Sequence, residues 1–295
     1  MDLLSDLKAI LVQHLTTLGT HFKATDSAEQ LLLLVLNHEL KTVAPRPRTV
    51  HCSRKFQAKL SKLPVAQQQA ANAIMLKFGK GDDINGHLST GSARPKETDP
   101  LLADWRIHHL HISNHKKKPS DKFYARTGPV MFAQISDDAV YFIDIYPHGK
   151  GFPETWTRQE VLKIVDDEWP HLLDPYRATG IVDVAFTPSD MELKKLRKAR
   201  VNTILKVGGS FVTPPGGGLT GAGTPVANML RKNRTIQVIK ELEARVAARS
   251  TELKAQIAAH TGKPEKEMDF QLVPLQPKSW GVVEKTTGML VARRA

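Results

Sequence analysis

"DWRIHHLHISNHKKKPSDKFYARTGPVMFAQ" (residues 104–134) decides how this chain is read. It holds four histidines, four lysines and two arginines in a segment that otherwise has the apolar texture of sheet. Strand residues alternate between faces. In "WRIHHLHI" (105–112), Trp105 and Ile107 are in phase, as are Leu110 and Ile112, but the two pairs are one residue out of step. A β-bulge at the His108–His109 doublet would bring both pairs to one face, and bulges re-aim side chains beside active sites. Arg106, one or both doublet histidines and His111 then point outward together. The next two strands, "FYARTGPVMFAQI" (123–135) and "AVYFIDIYPHG" (139–149), form a hairpin across "SDD". Along the second, Tyr141, Ile143 and Ile145 share one face. Phe142, Asp144, Tyr146 and His148 share the other, which becomes polar once the apolar set turns to the helices.

Working outward, "RTVHCS" (48–53) reads as a short strand and "RKFQAKLSKL" (54–63) as a helix that buries Phe56, Leu60 and Leu63 and stops at Pro64. "VAQQQAANAIMLKFGKG" (65–81) is a second helix with Ala70, Ile74 and Phe78 along one face and Gly79 as its C-cap candidate. The polar run 79–100 is a loop, so the order over 48–150 is β-α-α-β-β-β. Before it, residues 2–18 and 27–41 form two helices, and "VAPRPRTV" (43–50) breaks the second. After it come a helix over 154–170, with Thr155 or Thr157 as cap, and a basic helix "SDMELKKLRKARV" (189–201). A strand pair (203–212), a glycine-rich loop (213–226), a long helix (226–259) and a closing strand with hairpin complete the chain. The fold class expected is α+β. A helical segment (1–47) precedes a core whose antiparallel sheet carries two helices on one face (48–186), and a basic α/β domain follows (187–295).

Forty-two Lys and Arg against thirty Asp and Glu give a formal charge of +12, which favours a polyanionic partner, nucleic acid first. A single cysteine, Cys52, rules out an intrachain disulfide and a multi-cysteine zinc site and fits a reducing cytoplasm. "LLLLVL" (31–36) is far shorter than the ~20 residues a bilayer needs, and "MDLLSDLKAI" has acids where a signal peptide wants bases. The expectation is a cytoplasmic protein without membrane partners.

The middle segment resembles the RelE/ParE toxin superfamily in order and texture. The points of likeness are a first strand leading into "FQAKLSKLP", a second helix ending near "FGKGDD", "LLADWRIHHL", and then "RTGPVMFAQISDDAVYFIDIYPHG". The resemblance spans residues 48–150. It implies a helical pair on one face of a curved antiparallel sheet whose other face is basic. In ribonuclease members that face cuts mRNA, usually at the ribosome; gyrase-poisoning members share the fold without cutting RNA. A toxin role implies a neutralising protein partner and a place in a toxin–antitoxin or phage-defence system. The family's active face leans on Lys and Arg, whereas histidine is prominent here.

Metal-independent RNA cleavage needs a base for the 2′-hydroxyl, an acid for the leaving 5′-oxygen and positive charge on the phosphate. Histidines with pKa values near ~6.5 can divide the acid and base roles. His108, His111 and His148 are the candidates, with Arg126 or Arg106 as the phosphate clamp and no cofactor. Lys116, Lys117, Lys118 and Lys150 would hold backbone phosphates, and Tyr124 or Tyr146 would stack a base. Two alternatives stay open. The same basic face can bind nucleic acid or a partner without catalysis. Alternatively His109, His111 and Asp144 or His148 form a metal set for a metal-dependent nuclease. The glycine-rich loop lacks a Walker A ending and reads as packing rather than a phosphate cradle. "KKLRKAR" (194–200) reads as a solvated helix face, with nucleic-acid contact as the sharper option.

Overall fold

The computed structural model describes residues 1–275 and 279–294. Helices α1 (Leu3–Thr17) and α2 (Ala28–Lys41) open the chain. Strand β1 (Thr49–Cys52) is followed by α3 (Arg54–Leu60), α4 (Val65–Lys80) and α5 (Pro100–Trp105). Then come β2 (Ile107–His111), β3 (Pro129–Ile135), β4 (Ala139–Pro147), α6 (Glu160–Glu168) and α7 (Asp190–Lys198). A hairpin of β5 (Leu205–Val207) and β6 (Ser210–Val212) leads to α8 (Val226–Ala248) and α9 (Ser250–Thr261). The last elements are β7 (Phe270–Leu275), β8 (Ser279–Glu284) and β9 (Leu290–Arg294). No helix among the described residues is long and apolar enough to cross a membrane.

The chain forms two compact units, and they differ from the three-part division read from the sequence. One joins Met1–Leu36 to the chain from Asn228 onward; the other is Asn37–Ala227. The apolar stripe Leu3, Leu7, Leu11 and Leu15 of α1 has no core of its own to enter. It is buried with Ile239, Leu242 and Val246 of α8 and Phe270 and Leu272 of β7, and the Leu272 N–H donates to Asp6 Oδ2 at 2.9 Å. Residues 187–227 go with the second unit, because Leu193, Leu205, Val207 and Val212 are buried among Ile143, Ile164 and Val165. The helix expected over 226–259 breaks at Arg249 into α8 and α9.

In the second unit a four-stranded sheet has the order β1-β4-β3-β2. It is mixed rather than antiparallel: β1 runs parallel to β4, while β2, β3 and β4 form an antiparallel meander. β1 leaves through α3 and α4, and the two reversals of the meander return β4 to its side in the same direction. Ser53 caps α3 by accepting from the Phe56 N–H at 2.9 Å. Gly81, not Gly79, ends α4 in the left-handed region at φ 83°. A Cβ there would also lie 2.6 Å from Pro47, so the position demands glycine.

Both faces of the sheet are covered. On one side Phe56, Ala70, Ile74 and Phe78 of α3 and α4 pack against Leu110, Met131, Phe142 and Ile145. On the other, Val161 and Val165 of α6, Leu193 of α7 and the β5–β6 hairpin pack against Ile107, Val130, Phe132, Ile143 and Tyr146. The open basic face expected from the sequence is therefore replaced by a second core. This also removes the need for a bulge in β2, whose pairing with β3 is regular. Ile107 enters one core and Leu110 and Ile112 the other, so the out-of-step pairs serve opposite faces. The irregularity lies in β4 instead. Phe132 pairs with Asp144 and Ala133 with Phe142, leaving Ile143 as the extra residue.

Candidate functional site

Asp99 and Pro100 build the local frame. The polar run expected to be loop up to 100, and the strand expected from 104, are interrupted by α5. Asp99 is its N-cap, accepting from the Leu102 N–H at 3.1 Å, and Pro100 supplies a first helical residue that needs no donor. Arg106 ends α5 in the left-handed region at φ 58°, so it acts at the helix-to-strand corner, half-buried, rather than on an open face. β2 then begins with His109 and His111 on the face of their β3 partners Phe132 and Val130. His108 points to the opposite face with Ala133.

The structure thus separates the predicted trio. His111 and His148 come together, with ring centroids 5.0 Å apart, but their neighbour along β2 is His109 at 6.0 Å, not His108. Trp156 touches both outer rings, at 4.6 Å from His109 and 5.8 Å from His148, and lies flat against Phe132 at 5.8 Å. The second carboxylate oxygen of Asp99 sits 3.3 Å from His109 Nδ1. A carboxylate only accepts, so this contact places the proton on Nδ1 and leaves Nε2 for a ligand. His148 is held alike: its Nδ1–H donates to the Gly128 carbonyl. Burial alone would raise the Asp99 carboxyl, yet the adjoining His109 ring holds it below its ordinary value.

Burial removes the other histidines from acid duty. It drives His108 down to about 4. Burial, then the neighbouring His109 and His148 rings and Arg126, takes His111 down to about 3. Both are neutral at pH 7 and neither can deliver a proton there, against the expectation of values near ~6.5. His111, 3% exposed with its Nδ1 unpartnered, is a neutral spacer between His109 and His148.

His108, His109 and Asp99 line a cavity of ≈ 510 Å³ walled by the loop 88–100, Trp156 and α7. Lys41 fixes that loop by donating to the carbonyls of Gly91, Arg94 and Glu97 at 3.2, 2.5 and 2.7 Å, and burial lowers its ammonium to about 8. α7 is anchored by Arg197, whose Nε lies 2.5 Å from Asp104 Oδ2 and whose Nη1 donates to the Trp156 carbonyl. Lys194 and Lys198 stand on the cavity rim.

The remaining predicted residues are placed elsewhere. Tyr146 is buried against Phe132 with Lys59 Nζ 4.1 Å over its ring, so it cannot stack a base. One face of Tyr124 is taken by the His87 ring at 4.1 Å, and its hydroxyl by Lys77. Arg126 is exposed and donates to Thr90 Oγ1 at 2.7 Å. Lys117, Lys118 and Lys150 are exposed on loops and Lys116 lies 5.6 Å over the Tyr124 ring. Asp144 is committed to Lys59 at 2.7 Å, and the described residues contain no group of three or more His, Cys, Asp or Glu able to hold a metal. In the glycine-rich loop the Gly216 and Gly218 amides donate to the Asp104 and Ala103 carbonyls, and those of Gly217 and Gly223 to the Pro214 and Thr220 carbonyls. A Cβ at Gly216 would lie 1.8 Å from the Ala103 carbonyl oxygen. Cys52 is half-buried 3.5 Å from Met75 Sδ, and burial raises its thiol to about 11.

Asp99 and Trp156 are the site residues the sequence reading missed, whereas Lys194 and Lys198 lie in "KKLRKAR", for which nucleic-acid contact was the sharper option. Only "DP" at 99–100, an N-cap followed by proline, could have pointed to one of them. No protein-family model, curated protein or solved structure matches the chain.

Proposed function

We propose that the protein is a metal-independent ribonuclease of toxin type that cuts RNA in the cavity beside β2. The observation that carries this reading is the His109–Asp99 pair in the wall of a cation-rimmed cavity. In the proposed step His109 Nε2 takes the proton of a 2′-hydroxyl. The 2′-oxygen bonds to phosphorus, the bond from phosphorus to the 5′-oxygen breaks, and the departing oxygen takes its proton from water, since His148 lies outside the cavity lining. Lysine ammonium groups offset the charge that develops on the phosphate. The β-α-α-β-β-β order, interrupted by α5, is compatible with the RelE-like reading. Single-stranded RNA, ribosome-bound message and a neutralising protein are the partners that this reading brings with it.

The test is incubation of purified protein with labelled single-stranded RNA, duplex DNA and ribosome-bound message, with and without EDTA. RNA cleavage that survives EDTA, disappears in His109→Ala and persists in His108→Ala is the expected result. Binding without cleavage would make the region a docking surface, and loss of cleavage in EDTA would point to a metal-dependent nuclease.

A further inference from the structure

We infer that the cavity encloses a single nucleotide, its base against Trp156 and its phosphate between Lys194 and Lys198. The inference rests on the ribonuclease reading for its site, but binding requires none of the chemistry.

Volume sets the scale. At ≈ 510 Å³ the cavity falls among those that enclose one small organic ligand, roughly 300–1,000 Å³, and it has no room for a run of nucleotides. Its lining then decides the ligand class. Trp156 is the large aromatic side chain of the lining, half-buried, with one face flat against Phe132 and the His109 ring 4.6 Å away, so a base packs on the part of the indole that the cavity leaves uncovered. Lys194 and Lys198 lie one helical turn apart, about 6 Å along α7, so both ammonium groups reach one phosphate. Both are exposed, and neither has an ion-pair or hydrogen-bond partner among the described residues. Ser89, Ser92 and Thr98 add hydroxyls for sugar and base edges.

A single guanidinium ties these parts together. Arg197 bonds to Asp104 and to the Trp156 carbonyl, so the helix carrying the lysines and the backbone of the stacking residue are fixed to one another before a ligand arrives. Such preorganisation reduces the ordering cost of binding. A base must leave a duplex stack to enter, which restricts the ligand to single-stranded ends, loops or free nucleotides.

Calorimetric titration with nucleoside monophosphates, the matching nucleosides and inorganic phosphate tests this. The monophosphates should bind at least ~10-fold tighter than nucleosides or phosphate alone. Lys194→Ala/Lys198→Ala should lose that advantage with an unchanged melting temperature, since both side chains are exposed. Trp156→Phe should weaken monophosphate binding and leave inorganic phosphate unaffected. A single-stranded oligonucleotide should compete and a duplex should not. Absence of monophosphate binding, or binding indifferent to the lysine pair, overturns the inference. RNA cleavage by a protein that binds no monophosphate would overturn it and leave the ribonuclease reading standing. Monophosphate binding without RNA cleavage would do the reverse.

Discussion

Asp99 holds two jobs that substitutions can separate. Its Oδ1 caps α5 and its Oδ2 orients His109. Asparagine caps a helix about as well as aspartate, but its amide no longer imposes the Nδ1–H tautomer on the imidazole. On the ribonuclease proposal, Asp99→Asn should therefore leave stability within a few tenths of a kcal/mol and lower RNA cleavage by orders of magnitude, as expected when a catalytic imidazole loses its orienting carboxylate. Asp99→Ala should lose the same activity and about 1 kcal/mol of stability as well. Thermal melts and cleavage rates on the two variants separate the roles. Equal activity in Asp99→Asn and the parent would remove His109 from the mechanism.

The elements show how far the sequence carries. The helices around "FQAKLSKL" and "AIMLKF" and the existence of the three meander strands are legible from apolar content and from proline or glycine stops, but the faces of β4 are not, because Ile143 and Ile145, expected on one face, enter opposite cores. The phase of β2 is legible only as a conflict. Trp105, Ile107, Leu110 and Ile112 cannot share a face of a regular strand, and local pattern does not tell a bulge from a sheet covered on both sides. The cover comes from α6, α7 and the β5–β6 hairpin, more than forty residues away in sequence for α7. This long-range fact hid which residues share a cavity with Lys194 and Lys198: His108 and His109 both line it, and His111 and His148 do not.

α7 itself looks like a solvated helix because only Leu193 is deeply buried. Its attachment is the Arg197–Asp104 pair, with side chains 8% and 11% exposed. Burial raises the Asp104 carboxyl despite the adjoining guanidinium, so the pair fixes position more than it adds net stability. Arg197→Ala, which strands a buried carboxylate, should cost about 3–5 kcal/mol. The volume-matched double change Arg197→Met/Asp104→Leu should restore most of that. Denaturant titration measures both, and equal losses in the single and double variants would refute the anchoring role.

At the scale of the whole molecule the two units should respond to acid in sequence. In the second unit burial lowers His87 and His108 to about 4 and His111 to about 3, from an ordinary 6.5. Between those values the unfolded chain binds protons that the folded unit refuses, so the histidines' contribution is complete above pH 6.5 and is lost as pH drops through the window. Each histidine contributes up to about 1.4 kcal/mol per pH unit. Three together approach about 4 kcal/mol per unit, against a total stability of ~5–15 kcal/mol. In the first unit the marked shift belongs to Glu284. Burial alone would raise that carboxyl, but the N–H and hydroxyl groups of Thr286 and the same pair from Thr287 bring it down to about 2. A carboxylate so lowered contributes stability above its ordinary 4.5 that is lost only as pH falls towards 2. The second unit should therefore unfold first. Trp105, Trp156 and Trp169 lie in it and Trp280 in the other, so tryptophan fluorescence follows mainly the second unit, while far-UV circular dichroism also reports α1, α8 and α9. Fluorescence should shift between about pH 6 and 4 while much of the helical signal survives to lower pH. A single coincident transition by both probes would show that the histidines do not set the acid limit of their unit.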